Sequence, residues 1–90
     1  MKLLTKAIEK KLEKFPLNSQ DGKGVEAKVL CKFFAPVGSW TWYVLEGEKN
    51  EDGDWMFFGI VVNDMGAEYG YFTLKELENL KLPFGLKVER

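Results

Sequence analysis

Five carboxylates within nine residues, Glu46, Glu48, Glu51, Asp52 and Asp54, form the densest group of chemically capable side chains in the sequence. Carboxylates so close suggest a divalent cation site, the metal-dependent hydrolysis built on one, or an acidic surface that steers the protein to a basic partner. If Gly53 takes the glycine position of an EF-hand loop, Glu48, Asn50 and Asp52 fall on the three earlier ligand positions. Gly59 then stands where a bidentate Glu is required, and the flanks are strand-forming, not helical. A two-metal nuclease needs carboxylates converging from several elements, whereas these crowd into one. The acidic docking surface is the functional reading that stands, beside the plain one of a solvated hairpin loop.

The other reactive groups are few. The chain contains no His, which removes the commonest general base, the Ser-His and Cys-His nucleophile pairs, and the imidazole-bearing zinc sites. Cys31 lies between the apolar Val29 and Phe33, where burial raises a thiol's pKa, so it reads as an inert core thiol. Gly22-Lys23-Gly24 lacks both the spacing and the following helix of a phosphate-binding loop and reads as a turn. Lys6, Lys10 and Lys14 recur at helical spacing and offer phosphate contacts if their helix packs beside a row of exposed aromatics. Tyr43, Tyr69 and Tyr71 are the candidates for such a row, either as anchors for a protein partner or as a base-stacking platform.

These residues must be positioned by a small number of elements. Leu4, Ile8, Leu12 and Phe15 form one helical stripe, ended by Pro16 and the polar run to Gly22. Val25, Ala27, Val29, Cys31 and Phe33 alternate with Glu26, Lys28, Leu30, Lys32 and Phe34, which predicts a strand with its odd-numbered residues inward. After a turn at Pro36 and Gly38, residues 40–46 read as the second strand of a hairpin. Trp40, Trp42 and Val44 share one face of it, and Thr41, Tyr43 and Leu45 the other. Gly47 to Asp54 reads as a polar loop, and Trp55 to Val62 as a central strand apolar on both faces. Tyr69 to Phe72 reads as a short fourth strand, with Tyr69 and Tyr71 opposite Phe72. Thr73 and Glu76 form a capping box, with Phe72 and Leu77 as its hydrophobic staple. Leu74, Leu77 and Leu80 give the helix one apolar side, and Pro83 and Gly85 end it. Leu86 to Glu89 reads as a final edge strand. The order predicts an α+β domain over residues 1–90, with a small antiparallel sheet of three to five strands, an N-terminal helix and a short C-terminal helix.

Composition narrows the function further. Ninety residues suffice for one core, with roughly 60–65% of the unfolded surface buried. A net charge of −1 excludes both a uniformly basic nucleic-acid binder and a wholly acidic mimic of DNA. The charge is nevertheless uneven: +4 over residues 1–34, −6 over residues 35–72 and +1 over residues 73–90. Only Lys49 is basic between residues 35 and 72, which counts against nucleic acid at the aromatic row. Five Lys and two Glu among the first fifteen residues leave no room for a secretory apolar segment. A lone Cys asks for no oxidising compartment, so cytoplasm is the expected location, with no membrane contact and no cofactor.

Three stretches together carry a resemblance. They are Met1-Lys2-Leu3-Leu4-Thr5 before a short helix, Trp40-Thr41-Trp42-Tyr43 after a Phe-Phe-x-Pro turn, and Tyr69-Gly70-Tyr71-Phe72-Thr73-Leu74-x-Glu76-Leu77-Glu78 followed by Pro83-x-Gly85-Leu86-x-Val88-Glu89-Arg90. Over nearly the whole chain they resemble a family of small bacterial proteins carried by plasmids, phages and integrative elements, the domain-of-unknown-function family 2958. The resemblance implies a setting, a mobile genetic element, and no catalytic residues. The leading expectation is a non-enzymatic interaction protein of such an element that binds and blocks a host defence component. Tyr43, Glu46, Glu48, Glu51, Asp52, Asp54, Tyr69 and Tyr71 are its candidate partner-binding residues. The alternatives are a nucleic-acid-binding accessory protein using Lys6, Lys10 and Lys14, and a carboxylate-metal enzyme built on residues 46–54. Neither the partner nor the oligomeric state follows from the sequence.

Overall fold

A computed structural model describes residues 3–90. Helix α1 (Lys6–Glu13) precedes four strands, β1 (Cys31–Phe34), β2 (Thr41–Lys49), β3 (Trp55–Asn63) and β4 (Gly66–Thr73), and helix α2 (Leu74–Asn79) follows directly. The strands form one antiparallel meander in the order β1-β2-β3-β4. This is the α+β arrangement that the sequence predicts.

Both helices begin on a threonine. The Ile8 N–H donates to Thr5 Oγ1 at 3.2 Å, and the Glu76 N–H to Thr73 Oγ1 at 3.1 Å, each satisfying a backbone donor of the first helical turn. Ile8 and Leu12 from α1 and Leu77 from α2 join Phe33, Trp42, Val44, Phe57 and Phe72 in one buried cluster. Register shows why. Phe33 pairs with Trp42, Trp42 with Val61, and Phe57 with Phe72, so these side chains project from one face of the sheet and both helices cover it.

The ladder between β2 and β3 is regular except at Leu45, where one extra residue makes a bulge. Near it, opposite Val44, stands Gly59, and the site requires glycine. A Cβ there would lie 1.8 Å from the Tyr43 carbonyl oxygen and 2.9 Å from its carbon. The bulge brings Gly47 onto the covered face, where a Cβ would press on Phe57 at 2.9 Å and on Leu12 at 3.0 Å.

Several boundaries differ from the periodic reading. The first strand begins at Cys31, not near Val25: residues 24–26 form a 3-10 turn, and Val29 is exposed while Leu30 is buried. The reason is a side chain from the segment after α1. Buried Gln20 accepts the Lys28 N–H at 2.7 Å and donates Nε2 to Lys28 O at 2.9 Å and to Leu45 O at 2.6 Å. Its amide thus takes the place that a continued strand would have filled beside the bulge. Strand β2 runs on through Lys49, which shortens the polar loop to a turn, and β4 starts at Gly66. Of the expected apolar side of α2, Leu77 is buried but Leu80 is exposed, because the helix ends at Asn79. The final strand is a single bridge in which Phe34 and Glu89 exchange two backbone hydrogen bonds of 2.8 Å. Among the described residues, no helix is long and apolar enough to cross a membrane.

Candidate interaction surface

The acidic residues that the sequence crowds together separate in the fold. The bulge turns Glu46 toward the segment after α1, where it is 2% exposed and accepts the N–H groups of Asn18 at 2.6 Å and Gln20 at 2.8 Å. Glu48, two residues on, accepts the Leu17 N–H at 3.2 Å, and the Gly47 N–H donates to Phe15 O at 3.1 Å. Residues 15–20 therefore form the lateral cover of β2 beyond the end of β1, held by the strand's own carboxylates. Asp54 is also buried and accepts from the N–H groups of Trp55 at 2.8 Å and Lys75 at 3.1 Å, tying the β2–β3 turn to the start of α2. Glu51 and Asp52 remain at the exposed tip, and Glu48 is exposed beside it on β2. Asn50 organises that tip, its Oδ1 accepting from Asp52 N and Asp54 N at 3.0 Å each. Among the described residues, no three His, Cys, Asp or Glu side chains converge closely enough to hold a metal ion.

The tyrosines, by contrast, come together on the sheet face that carries no helix. Tyr43 pairs with Ile60 and Ile60 with Tyr69; one row further along, Glu46 pairs with Phe58 and Phe58 with Tyr71. Tyr69 and Tyr71 are 60% and 61% exposed, whereas Tyr43 and Ile60 are half-buried. Phe58 supports both outer rings: it stacks on Tyr69 with centroids 5.8 Å apart and planes within 3°, and meets Tyr71 at 5.0 Å in a tilted contact. Such packing restricts the rotamers of the two tyrosines before any partner arrives. Beside them lies a depression of about 350 Å³ lined by Gly22, Gly24, Ala27, Leu45, Phe58 and Tyr69. Its wall is the loop that Glu46 and Gln20 hold in place.

Charge on this face comes from an unexpected quarter. Lys6, Lys10 and Lys14 are exposed, but α1 packs on the opposite face, so the helix brings no lysine to the tyrosine row. Lys32 is the strand lysine on the open face, in register with Tyr43, its Nζ 5.7 Å from the Phe34 ring centroid. Its alternation with Cys31 and Phe33 is the signal in the sequence that places it there.

Cys31 lies on the covered face, partly buried against the core cluster. Burial pushes its thiol from 9.0 up to about 11, against the smaller downward pull of Lys11 and Arg90. At neutral pH it is a protonated core side chain and no nucleophile.

The family model for proteins of unknown function designated DUF2958 matches residues 3–90. The chain belongs to this family. No curated protein and no solved structure matches it. In this DUF2958 protein residues 69–78 supply both the two exposed tyrosines and the threonine cap of α2, so one stretch of sequence builds the open face and anchors the covered one.

Proposed function

We propose that this DUF2958 protein is a non-enzymatic binding module whose open, tyrosine-bearing sheet face docks on a protein partner. One observation carries the reading: Tyr69 and Tyr71, both mostly exposed, stand on the helix-free face in orientations fixed by Phe58. Rigid tyrosines lose little conformational entropy on binding and supply large contact areas, which is why they are frequent binding hot spots. Acidic residues at the 51–52 tip add long-range steering toward a basic partner and little contact. The setting implied by the resemblance is a mobile genetic element in the bacterial cytoplasm, which makes a component of host defence the partner to seek.

The test is capture of the partner from the natural host, then calorimetric titration against the wild type and the double variant Tyr69→Ala/Tyr71→Ala. An affinity loss of about 2 kcal/mol or more at an unchanged melting temperature supports the reading. Unchanged affinity for the captured partner refutes it. Salt-sensitive binding of single-stranded nucleic acid, abolished by the same variant, would assign the face to base stacking instead.

A further inference from the structure

A second apolar surface borders the tyrosine face at Tyr69. A groove of about 320 Å³ is lined by Ala35, Val37, Trp40, Trp42, Leu80 and Leu82, none of them charged. Past Trp40 it continues into a depression that holds Met65, Glu68 and Tyr69. Asp64 stands at this end too, accepting a hydrogen bond from Ser39. Past Leu80 and Leu82 the groove continues into a depression that holds Lys81 and Lys87, formed by the chain on either side of the Pro83–Gly85 turn. That turn carries Phe84, 93% exposed and in the left-handed conformation at φ 62°, a rare setting for a bulky side chain. Met65 is 94% exposed at the other end. The strip therefore has a protruding Phe between two lysines at one end, a protruding Met beside two acids at the other, and an uncharged trough between them. Glu78 and Glu89 border Lys87 on its far side, in the cavity with Leu3 and Leu77, and do not line the depression beside Phe84.

We propose that this strip joins two copies of the chain in a two-fold symmetric dimer. A two-fold interface must be complementary to itself, and a strip with opposite charges at its ends meets that condition when two copies lie antiparallel. Lys81 and Lys87 then face the partner's Asp64 and Glu68, and Phe84 meets the partner's Met65 and Trp40 across the trough. Sulfur–aromatic and aromatic contacts of this kind are favourable, and the pairing withdraws four exposed apolar side chains of each copy, Trp40, Met65, Leu80 and Phe84, from water. Tyr71 lies outside the strip, whereas Tyr69 borders its acidic end.

Sedimentation velocity on the full chain, from low micromolar to near-millimolar concentration, tests the proposal. The wild type should pass from monomer to dimer over this range. Phe84→Asn should weaken the dimer by roughly thirtyfold, as loss of an aromatic anchor does, while its melting temperature holds or rises because Asn accepts the left-handed backbone more readily. Leu80→Gln, at an exposed position outside the helix, is the second variant and should weaken the dimer in the same direction. Lys81→Glu/Lys87→Glu and Glu68→Lys should each dimerise less than the wild type alone, yet pair with each other when mixed, because the mixed pair regains at one end the native contact of Lys81 and Lys87 with Asp64 and Glu68, which each homodimer lacks at both ends. A wild type that stays monomeric throughout, a dimer indifferent to both Phe84→Asn and Leu80→Gln, or a mixture that pairs no better than its components would each overturn the proposal.

Discussion

Glu46→Ala separates a carboxylate that builds the fold from one that attracts a partner. Both Glu46 oxygens are engaged, at 2.6 Å with the Asn18 N–H and at 2.8 Å with the Gln20 N–H, and the side chain is 2% exposed. Truncation leaves two backbone donors without acceptors, at about 1–3 kcal/mol each. Asn18 is exposed, so water reaches its N–H more easily than the one at buried Gln20, and the total should fall near ~3 kcal/mol. For a domain of this size each kcal/mol lowers the melting temperature by roughly 4–8 °C, so the variant should melt about 12–24 °C below the wild type. Urea titration should show the same loss as a lower midpoint with an unchanged slope. Glu51→Gln/Asp52→Asn, at the exposed tip, is the control and should shift stability by less than about 0.5 kcal/mol per site. A Glu46→Ala protein that melts with the wild type would refute the structural role of the buried carboxylate and of the loop it holds.

Gly59→Ala should destabilise by more than about 3 kcal/mol, because the added Cβ meets the Tyr43 carbonyl at 1.8 Å, whereas Gly70→Ala, with no atom within 4 Å, should be close to neutral; paired urea melts check both. Cys31 should titrate near 11 in the native protein, read from the thiolate absorbance of the wild type minus that of Cys31→Ala. Because the unfolded chain gives up this proton first, the contribution of the thiol to stability is complete below about pH 9 and is lost as pH rises toward 11; a native midpoint near 9 would contradict its burial. Glu51→Gln/Asp52→Asn should slow association with the captured partner at low salt, with the difference shrinking as salt is added; equal association rates would remove the steering role.

Much of this architecture is legible in local sequence signals. The Thr73–Glu76 cap, the stripe through Ile8 and Leu12, and the opposition of Tyr69 and Tyr71 to Phe72 each depend on neighbours within a few residues, and period alone assigns their faces. The separation of the acidic cluster is not legible in this way. Proximity in sequence suggests one surface, but a bulge at Leu45 shifts the register of β2 and sends Glu46 into the loop after α1, while Asp54 turns toward α2. The shortened first strand has the same origin, since the alternation from Val25 gives no sign that the Gln20 amide will occupy the pairing position beside Lys28. Long-range hydrogen bonds from single side chains leave no period to read, whereas the tyrosine row, set by the alternation within β4 and the apolar run of β3, does.

Binding of a protein partner by the helix-free sheet face, through Tyr69 and Tyr71, is tested most directly by titration calorimetry. The captured partner is titrated against the wild type and Tyr69→Ala/Tyr71→Ala, with melting curves on both proteins. Affinity for the double variant should be lower by about 2 kcal/mol or more, roughly thirtyfold in Kd, at a melting temperature within a few degrees of the wild type. Full affinity in the double variant would contradict a role for the tyrosine face.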